Sequence, residues 1–137
     1  MPVAATLLLM LAAQAATAVQ TPSAAQAPQA MPGITRTDLQ RHDLSIASRE
    51  TIQTRVDFAP GAIAPKHKHP GEEIVYVLSG TLEYRLEGQP IQILRMGDVL
   101  FIPYGAVHSV TNVGLDTASE LATYVVEKGK PLAEIVK

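Results

Sequence analysis

The chain has 137 residues, with 11 basic and 13 acidic side chains, a formal net charge of -2 and no cysteine. This length allows one domain, and the absence of cysteine excludes disulfides, thiolate metal sites and a cysteine nucleophile. A near-neutral charge and an aromatic content of 4% exclude the basic patches and stacking surfaces that nucleic acids require.

The N-terminal segment is uncharged, and the first charged side chain is Arg36. Residues 3–13 form an apolar run, and this run is too short for a membrane-spanning helix, which needs about 20 residues. It is typical of a secretory signal peptide, although no Lys or Arg precedes it. We predict a signal peptide at residues 1–18 and a periplasmic or secreted protein that does not associate with membranes after cleavage. The alternative is a disordered alanine-rich tail on a cytosolic protein.

The next segment, residues 19–35, is rich in Ala, Gln and Pro and contains few large apolar side chains. This composition is typical of a disordered linker, because it offers little surface to bury. The folded domain is therefore assigned to residues 36–137. Within it, only residues 37–42 have a helical pattern.

The remaining patterns predict β-strands. Arg49–Phe58 alternates between apolar and polar side chains, as a half-buried strand requires. Residues 73–78 are apolar on both faces apart from Glu73, which predicts cover on both sides. Further short strands are predicted at Thr81–Leu86, 91–94, Val99–Ile102, 107–113 and 121–126. Many short strands separated by Gly and Pro turns predict an all-β sandwich or barrel.

Three of the four histidines are arranged as metal ligands would be. His67 and His69 are two residues apart, so on a strand both imidazoles point to the same face. Glu73 follows after a bend and can lie opposite them, and His108 lies beyond a later turn. Three imidazoles and a carboxylate that converge would bind one divalent metal ion. Imidazole suits Fe, Ni, Cu and Zn, and a carboxylate adds oxygen character that Mn and Fe tolerate.

Other interpretations of these residues stay open at this point. A His-x-His pair alone is usually an exposed polar patch. Glu73 would cost several kcal/mol if buried without a partner, so the alternatives are a salt bridge to Lys or Arg, or a solvent-facing edge. His42 is predicted to lie on the surface. The possible pocket residues are Tyr104, Tyr124 and Arg55, whose orientation the pattern does not fix.

Taken together, the motifs resemble those of the cupin superfamily, in particular small single-domain (type-2) cupins. The first cupin motif is Gly, five residues, His-x-His, three or four residues, Glu, six residues, Gly, and here it comprises Gly61, His67, His69, Glu73 and Gly80. The second is Gly, five residues, Pro-x-Gly, two residues, His, three residues, Asn, and here it comprises Gly97, Pro103, Gly105, His108 and Asn112.

The resemblance covers residues 52–126 and implies a fold and a site. The fold is a single small antiparallel jelly-roll barrel, commonly a homodimer. The site is one divalent metal ion (Fe, Mn, Ni, Cu or Zn) bound by His67, His69, Glu73 and His108.

Three functions are compatible with such a site, because cupins share a fold and not an activity. The first is a metal-dependent enzyme of dioxygenase type that acts on a small organic substrate, with Glu73 as a catalytic general base. The second is a non-redox lyase or isomerase. The third is a non-enzymatic periplasmic module that binds a metal or a small ligand, and it is favoured by the lack of a second acid/base pair that the sequence places in the barrel.

The outer face of residues 73–78 carries Ile74, Tyr76 and Leu78 and needs cover. A second subunit would provide it, which predicts a homodimer. The alternative is a monomer in which residues 34–46 cover this face.

Overall fold

Ten β-strands build residues 30–137, the part of the chain that the computed structural model describes. The predicted signal peptide and most of the predicted linker lie outside these residues. No helix in the described part is long and apolar enough to cross a membrane. The strands are β1 (Ile34–Asp43), β2 (Arg49–Phe58), β3 (Ile63–Lys68), β4 (Gly71–Ser79), β5 (Thr81–Leu86), β6 (Gln92–Arg95), β7 (Val99–Ile102), β8 (His108–Asn112), β9 (Ala118–Glu127) and β10 (Glu134–Ile135).

The strands form two five-stranded antiparallel sheets, ordered β1-β2-β9-β4-β7 and β10-β3-β8-β5-β6. The hydrophobic core comes from the inner faces of both sheets. Val75 and Ala122 of the first sheet and Leu82 of the second are fully buried. The predicted all-β jelly-roll barrel is confirmed.

The strand prediction fails at β1. Residues 37–42 pair with β2 in an antiparallel register and are not helical, with Thr37 opposite Arg55 and His42 opposite Thr51. Backbone pairing with the edge of β2 overrides the short helical pattern, which is too brief to be stable alone. Ile34 and Thr35, predicted as the end of the linker, also belong to this strand.

Strand β4 alternates as predicted, but only its inner face is buried. Val75 and Val77 are fully buried, whereas Ile74 and Tyr76 are 47% and 45% exposed. The expectation of cover on both sides is therefore wrong for the single chain. The alternative cover, residues 34–46, is also wrong within the described residues, because β1 lies at the sheet edge with β2 and β9 between it and β4.

A β-bulge in β3 sets the direction of the two clustered histidines. Against β8, Ala64 pairs with Val110 and His67 pairs with His108, so β3 contains one extra residue between the pairs. A bulge shifts the alternation of side chains by one position. The bulge thus leaves Ala64 buried and still turns His67 inward.

Candidate metal centre

The structure brings the four predicted ligands together inside the barrel. His67 and His69 come from β3 and its end, Glu73 from β4 and His108 from β8. All four side chains are buried. The ring nitrogens that the three histidines direct to the site lie within 4.8 Å of one another.

Each imidazole is held by a backbone carbonyl through its Nδ1 atom. The distances are 2.7 Å from His67 to Pro65, 2.6 Å from His69 to Leu132 and 2.9 Å from His108 to Ala106. A carbonyl oxygen only accepts, so each Nδ1 carries the proton and donates it. In the neutral ring, the lone pair then lies on Nε2, on the side where the three rings meet. This is the arrangement in which metal-bound histidines are usually fixed.

The carboxylate of Glu73 completes the cluster. Its Oε2 atom lies 3.0 Å from Nε2 of His69 and 3.4 Å from Nε2 of His108. Neither Oε2 of Glu73 nor Nε2 of His69 has a hydrogen-bond partner among the described residues, although both are buried. Two buried lone pairs that face each other at this distance require a proton or a metal ion between them.

The local electrostatics agree with an ionised Glu73 carboxylate beside a neutral His67. Burial, followed by the charges of His108 and His69, lowers the pKa of His67 to about 4. Burial alone would raise the pKa of Glu73, but the neighbouring His108 and His69 outweigh it and hold the pKa below its usual value. His67 is therefore neutral near pH 7, with its lone pair free to bind a metal ion.

These observations fit a mononuclear divalent metal ion. Three imidazole nitrogens and one carboxylate oxygen are donors that Fe, Mn, Ni, Cu and Zn accept. The other interpretations do not fit the geometry, because His67 and His69 are buried and the carboxylate of Glu73 contacts histidines, not Lys or Arg. His42, predicted to be a surface residue, is exposed on β1.

The sequence missed a second acid/base pair in the same barrel. The hydroxyl of Tyr84 donates to Oε2 of Glu120 at 2.5 Å, and both side chains are buried. Burial, followed by the charge of Glu73, raises the pKa of Glu120 to about 8. Glu120 therefore holds a proton at neutral pH inside the same enclosure as an ionised Glu73.

Of the possible pocket residues, only Tyr124 faces the metal centre. Its ring lies 4.8 Å from the ring of His69, between centroids, and it is buried. Tyr104 is 48% exposed and donates a hydrogen bond to Glu127. Arg55 is exposed and pairs with Asp57.

A cavity of about 630 Å³ connects these groups. Its polar lining comprises Thr35, Arg36, Asp38, His67, His69, Glu73, Tyr84, His108, Glu120 and Tyr124. Apolar side chains line the rest, including Met31 and Ile34 before and in β1, and Leu132 in the C-terminal segment. The centre is thus a chamber large enough for a small organic molecule.

One signal could have revealed Glu120. It shares the phase of Ala122, Tyr124 and Val126, the buried face of β9, so it is an acidic residue at a core position, as Glu73 is. Arg36 gave no such signal, because it is the first residue of the predicted domain and stands directly before the residues with a helical pattern.

Two facing sheets that enclose three imidazoles and a carboxylate define a metal-binding β-barrel of the jelly-roll type. The family model for the cupin domain matches residues 54–129. The chain belongs to the cupin family, as its two motifs predicted.

The chain is similar to two kinds of characterised protein. A germin-like protein (subfamily 2 member 1) of Arabidopsis thaliana is 40% identical over 76 residues, which are 52% of this chain and 35% of that protein. Dimethylsulfoniopropionate lyase DddQ of Ruegeria pomeroyi is 43% identical over 61 residues, 44% of this chain and 30% of the lyase. The chain therefore matches less than half of the length of either relative.

Solved structures include the same lyase and an oxalate oxidase. An oxalate oxidase in complex with the substrate analogue glycolate superimposes with a TM-score of 0.62 at 28% identity, over 76% of this chain and 55% of the oxidase. The DddQ lyase of Ruegeria pomeroyi DSS-3 gives 0.56 at 28% identity, over 63% of this chain and 43% of the lyase.

Proposed function

We propose that this protein is a mononuclear metal enzyme that acts on a small organic substrate inside the barrel. The observation that carries the proposal is the pair of unsatisfied, buried acceptors, Nε2 of His69 and Oε2 of Glu73, within a ring of three imidazoles. His67, His69, Glu73 and His108 hold the metal ion. Four protein ligands leave open positions on a five- or six-coordinate ion, where a substrate binds.

The first reaction class is dioxygenase-type oxidation of the substrate with O₂. A donor set of three imidazoles and one carboxylate suits redox-active Fe and Mn, and the similarity to an oxalate oxidase supports this class. When bound, the metal ion supplies the redox chemistry and polarises the substrate. Glu73 is the catalytic base: one carboxylate oxygen stays on the metal side while the other accepts a proton from the substrate.

The second class is a non-redox lyase, and a specific observation favours it. Elimination needs a base and an acid near the reacting carbon, and Tyr84 with Glu120 provides a buried proton donor in the same cavity as the ionised Glu73. The similarity to a dimethylsulfoniopropionate lyase points the same way. Tyr84 and Glu120 also weaken the case for a binding module, which rested on the lack of such a pair.

Metal analysis combined with two assays separates the three classes. Elemental analysis of protein from its native compartment identifies the ion. Substrate-dependent O₂ uptake with Fe or Mn supports the dioxygenase-type enzyme, and turnover under nitrogen supports the lyase or isomerase. Tight binding of a small ligand without turnover supports the binding module, and it would overturn the proposal of an enzyme.

We infer that the protein is exported to the periplasm or secreted. The apolar run at residues 3–13 and the small residues after it support this location. Intact mass spectrometry of protein from the native host tests it. Cleavage after Ala15 or Ala18 agrees with export, and a cytosolic protein that retains the apolar run contradicts it.

We also propose a homodimer that covers the outer face of β4 and β7. This face, the β4–β7 patch, comprises Ile74, Tyr76, Val99 and Phe101, which are 47%, 45%, 65% and 58% exposed. The four side chains are adjacent, because Ile74 pairs with Phe101 and Tyr76 with Val99. A contiguous apolar patch of this kind is typical of an interface, and β7 is also a free sheet edge in the described chain.

A further inference from the structure

Arg36 is a cation directed into the chamber that contains the metal centre. It lies on the inner face of β1, with Ile34 and Asp38, and its side chain lines the 630 Å³ cavity. Its Nη2 atom donates to the hydroxyl of Tyr124 at 3.1 Å, and the guanidinium carbon lies 5.6 Å from the centroid of that ring. Tyr124 thus fixes the position of the guanidinium.

The positive charge of Arg36 lacks a counter-ion among the described residues. Three of the six arginines, at positions 41, 55 and 85, each pair with a carboxylate. Arg36, Arg49 and Arg95 form no ion pair among the described residues, and of these three only Arg36 lines the cavity. Its Nε atom is buried and has no hydrogen-bond partner in residues 30–137. A partly buried guanidinium whose buried Nε–H donor is unused is costly, so the site lacks an acceptor for this donor.

The carboxylates in the same cavity have other partners. Glu73 contacts His69 and His108, Glu120 accepts from Tyr84, and Asp38 accepts from Thr54 at 3.3 Å. None of them forms an ion pair with Arg36. An acceptor atom supplied by a ligand would satisfy the unused Nε–H donor of the guanidinium.

Tyr124 links this cation to the metal centre. Its ring contacts the ring of His69 on one side, and its hydroxyl binds Arg36 on the other. A ligand group bound to Arg36 would therefore be separated from the imidazole cluster by the side chain of Tyr124. This spacing suits a small molecule that places one end at Arg36 and the reacting end at the histidines.

Building on the proposed function, we propose that Arg36 anchors a carboxylate of the substrate, so that the substrate class is small organic acids. The planar guanidinium matches a carboxylate through paired N–H donors, which a neutral amide or alcohol does not reproduce. With a divalent ion bound, the three positive charges of the ion and Arg36 exceed the two negative charges of Glu73 and Asp38. The protonated Glu120 adds no negative charge.

The test is calorimetric titration of the metal-loaded protein with acetate, propionate and malonate, alongside acetamide and propionamide. We expect a carboxylate to bind and the matched amides not to bind. Arg36→Gln should weaken carboxylate binding by at least about tenfold, since a charge-assisted hydrogen bond contributes about 1.5–3 kcal/mol. Arg36→Lys, which keeps the charge and loses the planar donor pair, should be intermediate. The matched control is Arg95→Gln, an exposed arginine on β6 outside the cavity lining, and it should bind as the wild type does.

Elemental analysis of the same samples separates this inference from the proposed function. If the wild type holds one metal ion but binds no carboxylate, or if Arg36→Gln binds it equally well, the anchor is wrong and the metal site stands. If no metal ion is retained, the proposed function fails, and the same titrations on the metal-free protein decide whether Arg36 binds carboxylates. Equal binding of carboxylate and amide there also overturns the anchor. Thermal unfolding of each variant verifies that it is folded.

Discussion

Nε2 of His69 and Oε2 of Glu73 face each other at 3.0 Å inside the barrel, and neither atom has a hydrogen-bond partner in the described chain. The carbonyl of Leu132 fixes the orientation of the imidazole, because it accepts the Nδ1 proton. Two buried acceptors are thereby directed at one point. A cation between them would remove the repulsion between their lone pairs and satisfy both.

Replacement of Glu73 by glutamine tests the carboxylate ligand. The amide keeps the shape but removes the negative charge, so metal affinity should fall by at least about tenfold. Loss of a residue that only orients a metal ligand already lowers metal affinity by about that much. Competition with a chelator of known affinity measures the change. The control is Glu72→Gln, the neighbour on the opposite face of β4, which should leave affinity unchanged. Equal affinity in both variants would show that Glu73 is not a ligand.

The histidine pair can be tested by stoichiometry. His67→Ala combined with His69→Ala removes two nitrogen donors and should leave substoichiometric metal after chelation and reloading. Elemental analysis gives the ratio of metal to protein. The His42→Ala variant removes an exposed imidazole from β1 and should retain full occupancy. Full occupancy in the double variant would mean that the metal binds elsewhere.

The motif spacing in the sequence predicted that these side chains converge, because His67, His69 and Glu73 stand close together in the chain, with their phase set by strand geometry. That they bind a metal ion stays a prediction. The residues around them depend on pairings that no local pattern contains. Leu132 is 63 positions from His69, and Arg36 is 88 positions from Tyr124. The pairing of β1 places Arg36, and the segment between β9 and β10 places Leu132, so the sequence pattern missed both.

The protonation of Glu120 makes stability depend on pH. Its pKa is raised from 4.5 to about 8 in the folded chain, so the folded state retains a proton that the unfolded chain loses within this window. Glu120 should therefore lower the free energy of unfolding of the metal-free protein as pH rises from about 4.5 to 8, by up to about 1.4 kcal/mol per pH unit. The pKa of His67 is lowered from 6.5 to about 4, so His67 acts in the opposite direction between these values, and we expect the net decline above about pH 6.5.

Glu120→Gln is the variant that isolates this effect, because the amide still accepts the hydrogen bond from Tyr84 but does not titrate. Urea unfolding of both proteins at several pH values gives the comparison, with the exposed Glu87→Gln as the control. The decline should be shallower in Glu120→Gln than in the wild type. Parallel curves would contradict a protonated Glu120.

The β4–β7 patch predicts the oligomeric state. Sedimentation at micromolar concentration should give the mass of two chains, because the patch leaves large apolar side chains exposed in one chain. Ile74→Lys with Phe101→Lys should produce the mass of one chain, since buried lysines would oppose pairing. The control is Leu115→Lys, because Leu115 is also apolar, is 94% exposed and lies outside the patch. This variant should remain a dimer. A wild type that stays at one chain as concentration rises would rule out this interface.

The central claim is that His67, His69, Glu73 and His108 share one metal ion. Anomalous diffraction from a crystal, recorded at the absorption edge of the metal found by elemental analysis, tests it most directly. The account predicts one peak per chain, with the three Nε2 atoms and a carboxylate oxygen of Glu73 at about 2.0–2.2 Å from it. A peak elsewhere on the chain, or none between these side chains in metal-loaded protein, would contradict it.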